Sequence, residues 1–133
     1  MTTPDVPDAI TPRLAAALLE RHGLAPRKAA GQNFVVDPNT VDRIVGAAGI
    51  GPDDVALEIG PGLGSLTLPL ARAGRRVVAV EIDRGLAAVV ADVTAPLGAV
   101  EVHVADALRT DLDAGGREGL LDGARVGADP DDL

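Results

Sequence analysis

Residues 58–64 read Glu-Ile-Gly-Pro-Gly-Leu-Gly, and the apolar run Val77-Val78-Ala79-Val80 ends at Glu81. These two features decide the fold. The apolar segment Val55–Ile59 runs into a turn with no side chains at Gly60, Gly62 and Gly64. The next apolar segment ends in a carboxylate. In an open sheet whose strands alternate with helices, such a turn offers backbone N–H groups at a helix start, and the next strand tip offers an acid. Together they suit a nucleoside carrying an anionic or zwitterionic tail.

Outward from this centre, strand and helix signals alternate. Val55–Ile59 predicts a strand, about Ser65 to Ala73 a helix stopped by Gly74, and Arg76–Val80 a second strand. Arg84 to Asp92 predicts a second helix, and Val100–Val104 a third strand ending near Asp106. Such alternation implies parallel strands joined by right-handed crossovers. In the third strand Glu101 and His103 alternate with valines, the pattern of a partly wet edge. His103 and His22 both read as surface residues. Upstream, Thr11-Pro12 and Asp37-Pro38 each pair a capping side chain with proline at the first helical position. They predict helices over 12–22, with Leu14, Leu18 and Leu19 inward, and from 38 to near Gly49, with Val41, Ile44 and Val45 as the stripe.

The bulk composition narrows the function. At 133 residues the chain holds one domain at most. It has no cysteine, hence no disulfide or thiolate metal site. No apolar run approaches the roughly 20 residues of a membrane span, and the N-terminus lacks a basic-then-apolar leader pattern. A cytoplasmic location without membrane or metal partners is the expectation. The net charge of −8 opposes nonspecific nucleic-acid binding by the whole chain. The acidity is concentrated in residues 107–133, where seven acids outnumber three bases, while residues 11–43 carry five bases against three acids. Phe34 is the only aromatic residue, so there is little with which to stack a base.

The glycine spacing bears on the cofactor. The nicotinamide fingerprint is G-x-G-x-x-G, whereas residues 60–64 give G-x-G-x-G. Glu58 at the end of the first strand disfavours a pyrophosphate and favours an ammonium. Glu81 can accept from both ribose hydroxyls, and Asp106 from an adenine exocyclic amine. S-adenosylmethionine, a nucleoside without phosphate, satisfies all three. The plainer alternative is that Glu81 and Asp106 only cap the helices that follow them.

With these residues in place, the chain resembles the small-subunit ribosomal RNA adenine N6,N6-dimethyltransferases. The resemblance covers about residues 25–110. It rests on Gly31-Gln32-Asn33-Phe34-Val35, on Glu58 to Thr67, on Val80-Glu81-Ile82-Asp83 and on Ala105-Asp106-Ala107. It implies an α/β, Rossmann-like methyltransferase fold with S-adenosylmethionine as cofactor. The implied partner is small-subunit rRNA or the immature small subunit. By the resemblance Asn33 and the backbone of Val35 close over the cofactor, and Gly60 lies against its methionine part. Glu81 then holds the ribose and Asp106 the adenine.

The family also needs an Asn-Leu-Pro-Tyr-type segment after its fourth strand, to hold a base taken out of its stack. No such segment is found; Asp129-Pro130-Asp131-Asp132 stands near its expected place, read as an exposed turn. No catalytic residue is therefore assigned. The organisation expected is a helical segment over 1–30, the cofactor-binding half over 31–110, and an acidic, glycine-rich, poorly ordered tail over 111–133. The sheet is expected to be incomplete, with about three strands. Without a fourth, the apolar edge at Val55–Ile59 stands open, which predicts a marginally stable, truncated chain prone to associate. A non-catalytic cofactor-binding remnant and a large-subunit rRNA adenine methyltransferase are the alternatives; a nicotinamide oxidoreductase is disfavoured by the glycine spacing and Glu58.

Overall fold

The computed structural model describes residues 6–24, 35–108 and 124–126, the last of these as a strand only. Its elements run α1 (Pro12–Arg21), α2 (Pro38–Ala48), β1 (Val55–Ile59), α3 (Thr67–Ala73), β2 (Arg76–Glu81), α4 (Arg84–Thr94), a short 3-10 turn (Ala95–Leu97), β3 (Val100–Val104) and β4 (Ala124–Val126). Among the described residues the strands form one parallel sheet in the order β3-β2-β1-β4.

Three of the four described α-helices, α1, α2 and α4, start at a capping side chain. The Thr11 hydroxyl accepts from Leu14 N at 3.1 Å, Asp37 Oδ1 accepts from Asn39 N at 2.8 Å, and Asp83 Oδ1 accepts from Leu86 N at 3.0 Å. These bonds satisfy N–H groups that a helix start leaves without a partner. Proline follows the cap in α1 and α2, where its missing N–H is no loss. Gly49, at φ 61°, ends α2 in the left-handed region.

Leu63, Leu68, Val89 and Val93 meet Ala15, Leu18 and Leu19 of α1 in the largest buried cluster, sealed by Ile10 from the strap preceding α1. Burial of each leucine, isoleucine or valine among them stabilises the fold by about 1.5–3 kcal/mol. Arg72 of α3 ties that strap down, donating to the backbone carbonyls of Pro7 at 2.7 Å and Asp8 at 3.1 Å. On the sheet itself, Val55 and Leu57 of β1 pack beside Val78 and Val80 of β2. Val77 and Ala56 pack with Leu70 and Ala71 of α3. α2 contributes less than its stripe predicts: Val41 is buried, but Ile44 and Val45 are half-buried.

β3 is an edge strand, and its residues are half-buried or exposed throughout. His103 lies on that edge with Nε2 at 3.5 Å from Glu101, while His22 is 3.2 Å from Asp92 of α4. One expectation is corrected. The β1 edge is not open: β4 pairs with it in parallel, Val55 opposite Ala124, Ala56 opposite Arg125 and Leu57 opposite Val126. The sequence hides this strand because it is three residues long and sits among glycines and acids, with only Val126 as an apolar marker. The other residues of the tail, including Asp129-Pro130-Asp131-Asp132, lie outside the described residues.

Candidate cofactor site

Parallel strands with crossovers bring the C-terminal tips of β1, β2 and β3 to one end of the sheet, where ligands of open α/β folds bind. At that end the chain leaves β1 through Gly60, Gly62 and Gly64, with φ of 68°, 59° and 107°. Three positive φ values in five residues demand glycine, since any Cβ would be strained there. Gly60 N donates to Val80 O at 2.9 Å, extending the ladder one residue past β1. The turn closes by Gly64 N to Pro61 O at 3.0 Å, and Leu68 N to Gly64 O at 3.1 Å begins the helical turn leading into α3.

A cleft of about 210 Å³ opens against this turn, lined by Val36, Glu58, Gly60, Pro61, Gly62, Ser65, Leu66 and Glu81. Its charge is one-sided. Two carboxylates line it, both buried, and none of the described lining residues is a cation. Such a cleft repels phosphate and suits a ligand rich in donors or positive charge.

The two carboxylates differ. Glu81 ends β2, is 6% exposed, and accepts the backbone N–H of Asp83 through Oε2 at 3.0 Å. Glu58 lies within β1, 8% exposed, and its Oε1 accepts the hydroxyl proton of Thr67 at 2.5 Å. Burial pushes the Glu58 carboxyl up from 4.5 to about 7, against the Thr67 hydrogen bond, which pulls it down.

Of the residues singled out from the sequence, Gly60 and Glu81 meet in the cleft. Val35 is half-buried and packs on the α1–α4 cluster, while its neighbour Val36 lines the cleft. Asp106 is half-buried just beyond β3 and accepts from Leu108 N at 3.0 Å; it is not among the cleft-lining residues. Its backbone is nevertheless tied close to Glu81, because Ala105 N donates to Glu81 O at 3.0 Å. Asn33 lies outside the described residues. The alternative role of these acids as helix caps fails for Glu81, since Asp83 is the residue that caps α4. Sequence reasoning passed over Thr67; a hydroxyl at the start of the helix after the glycine turn, nine residues after a strand-end acid, was the available signal.

A family model described as "Ribosomal RNA adenine dimethylase" matches residues 23–117. The chain belongs to this family. Ribosomal RNA small subunit methyltransferase A of Pelotomaculum thermopropionicum is 46% identical over 103 residues, covering 77% of this chain and 35% of that protein. Among solved structures, the chain is similar to the 23S rRNA methyltransferase ErmE, with TM-score 0.54 and 39% identity over 56% of this chain and 31% of that one. It is similar also to an RNA methyltransferase from Salinibacter ruber solved with S-adenosyl-L-homocysteine, with TM-score 0.53 and 27% identity over 58% of this chain and 53% of that one. These neighbours share the Rossmann-like methyltransferase fold. The chain spans well under half the length of the curated relatives it matches.

Proposed function

We propose that this chain is the S-adenosylmethionine-binding part of an rRNA adenine N6,N6-dimethyltransferase acting on adjacent adenines of small-subunit rRNA in the cytoplasm. The observation that carries the reading is the cleft itself: a glycine turn flanked by the buried carboxylates of Glu58 and Glu81, with no cation among its described lining residues. The donor set fits the group. S-adenosylmethionine has an ammonium for Glu58, ribose hydroxyls for Glu81 and no phosphate to be repelled. When bound it supplies a methyl on a sulfonium sulfur.

What the chain's own residues do is bind and orient. Gly60 keeps the cleft floor free of side chains, Glu81 is the acceptor for the ribose, and Glu58 for the ammonium. The family resemblance adds Asn33 and the Val35 backbone as the closing segment and Asp106 as the adenine acceptor. Residues 1–30 are read as a helical segment, 31–110 as the cofactor-binding half and 111–133 as an acidic tail. No catalytic residue is assigned within the 133 residues. Positioning of the target amine, the main source of rate in such a transfer, falls to an Asn-Leu-Pro-Tyr-type segment that this sequence lacks.

The small-subunit target is supported by the curated relatives, named small subunit methyltransferases. The large-subunit alternative is supported by the similarity to ErmE. Incubating the chain with labelled S-adenosylmethionine and naked or immature small subunits tests the whole reading. N6-methyladenine in the small-subunit rRNA is the positive result. Cofactor binding without product favours a non-catalytic remnant, and failure to bind at all overturns the reading.

A further inference from the structure

Thr67 has a role that its helix alone does not require. It opens α3 and is wholly buried, yet no side-chain bond caps that helix, and its hydroxyl points back across to β1. There it donates to Glu58 Oε1 at 2.5 Å. Glu58 lines the cleft, so the bond joins a residue outside the cleft lining to one inside it.

The groups facing Glu58 are few. Across β2, its register partner is Ala79, which has no charge. From α3 comes the Thr67 hydroxyl. From the tip of β2 comes Glu81, a like charge lining the same cleft. From the loop before α2 comes Val36. No Lys, Arg or His is among the described lining residues. Thr67 is thus the hydrogen bond shown for a buried carboxylate with no cation beside it among the described lining residues. A hydroxyl can donate to an ionised carboxylate but gains nothing comparable from the neutral acid's carbonyl. It favours the ionised form and fixes which oxygen is engaged, so that Oε2 is the atom left to a ligand.

We infer that Thr67 is a positioning residue: its hydroxyl orients Glu58 and favours its ionised form as the cleft's acceptor for a cationic ligand group, so that ligand binding draws off the proton Glu58 otherwise shares with water. The inference rests on the reading of the cleft as an S-adenosylmethionine site. It also explains how a cleft with no cation among its described lining residues can tolerate a second buried acid: the acid shares a proton when the cleft is empty and ionises fully when the ligand's ammonium arrives.

Calorimetric titration of the 133-residue chain with S-adenosylhomocysteine between pH 5.5 and 8.5 tests it, comparing wild type with Thr67→Val and Thr67→Ser. Wild-type affinity should fall about tenfold per unit of pH below the Glu58 midpoint. Thr67→Val should move that midpoint up by about one unit, giving a roughly tenfold loss near pH 6 that narrows toward pH 8.5. Thr67→Ser, which keeps the hydroxyl, should restore the wild-type profile. A purely structural role for Thr67 would lower affinity equally at every pH and would overturn the inference, as would identical profiles for all three proteins. Should Thr67→Val fold poorly, the carboxyl carbon-13 titration of Glu58 in wild type and Thr67→Ser decides instead. A serine midpoint within half a unit of wild type supports the inference, and a one-unit rise overturns it. No heat with the wild type at any pH would instead sink the reading of the cleft and this inference with it. Binding with unshifted profiles sinks the inference alone.

Discussion

Glu81 and Asp83 are joined by a bond from the Asp83 backbone N–H to Glu81 Oε2 at 3.0 Å. That bond sets the Glu81 carboxylate at the tip of β2 while Asp83 caps α4. One acid thereby lines the cleft while the other caps the helix. Replacing Glu81 by alanine should weaken S-adenosylhomocysteine binding by at least tenfold, the loss of about one charge-assisted bond, while the melting temperature changes little. Glu81→Asp should recover part of the loss. Calorimetry and a thermal melt on each variant check both halves.

Glu58 gives a pH dependence with a definite sign. Its carboxyl is raised from 4.5 to about 7 in the fold, chiefly because burial disfavours the charge. Between those values the folded chain holds a proton that the unfolded chain has released. The contribution to stability is therefore full below pH 4.5, declines as pH rises to about 7, and is level above that. The shift corresponds to a loss of order 3 kcal/mol. Glu58→Gln should flatten this slope and leave the chain more stable than wild type at pH 8, while weakening binding of S-adenosylhomocysteine. Urea melts at pH 5 and pH 8 read the first effect. A wild-type chain equally stable at both values would contradict the burial argument.

Two glycines should respond differently to a methyl group. A Cβ at Gly74 would lie 3.0 Å from the Asp54 carbonyl oxygen and 3.3 Å from that of Leu70, both backbone atoms that cannot move aside. A Cβ at Gly85 would lie 2.7 Å from Leu24 Cδ2, a flexible side-chain end that can rotate away. Gly74→Ala should thus cost about 1–3 kcal/mol, and Gly85→Ala less, despite the shorter distance. Denaturant midpoints rank them; the reverse order would show that the Leu24 packing is the stiffer of the two.

The strap before α1 rests on Arg72. Its guanidinium reaches the carbonyls of Pro7 and Asp8, and Ile10 beyond them is 3% exposed in the main cluster. Arg72→Ala should cost about 1 kcal/mol, the exposed ion contributing only its two hydrogen bonds. Ile10→Ala should cost more, about 2–4 kcal/mol, because it leaves a cavity. Limited proteolysis should show earlier cleavage near residues 6–10 in both.

Much of this was legible in the residues. β1 and β3 have the bounds that their valines and flanking glycines dictate, and Thr11 and Asp37 cap as short acceptors before a helix should. Glu81 at the cleft follows from its position at a strand tip beside the glycine turn. Three things were not legible. β4 is too short and too polar to leave a periodic pattern, so its pairing with β1 is a tertiary fact. The ionisation of Glu58 depends on burial under α3, and a sequence shows the acid but not the dielectric around it. The Thr67 bond spans nine residues and needs the glycine turn to fold back before donor and acceptor meet.

The most direct test is a pair of titrations on the wild-type chain at pH 8, one with S-adenosylhomocysteine and one with NAD, repeated with Glu81→Ala. A single site for S-adenosylhomocysteine, at least tenfold weaker in the variant and with no comparable NAD binding, is the expected result. Equal or tighter NAD binding, or an affinity indifferent to Glu81, would contradict a phosphate-free nucleoside as the occupant of the cleft.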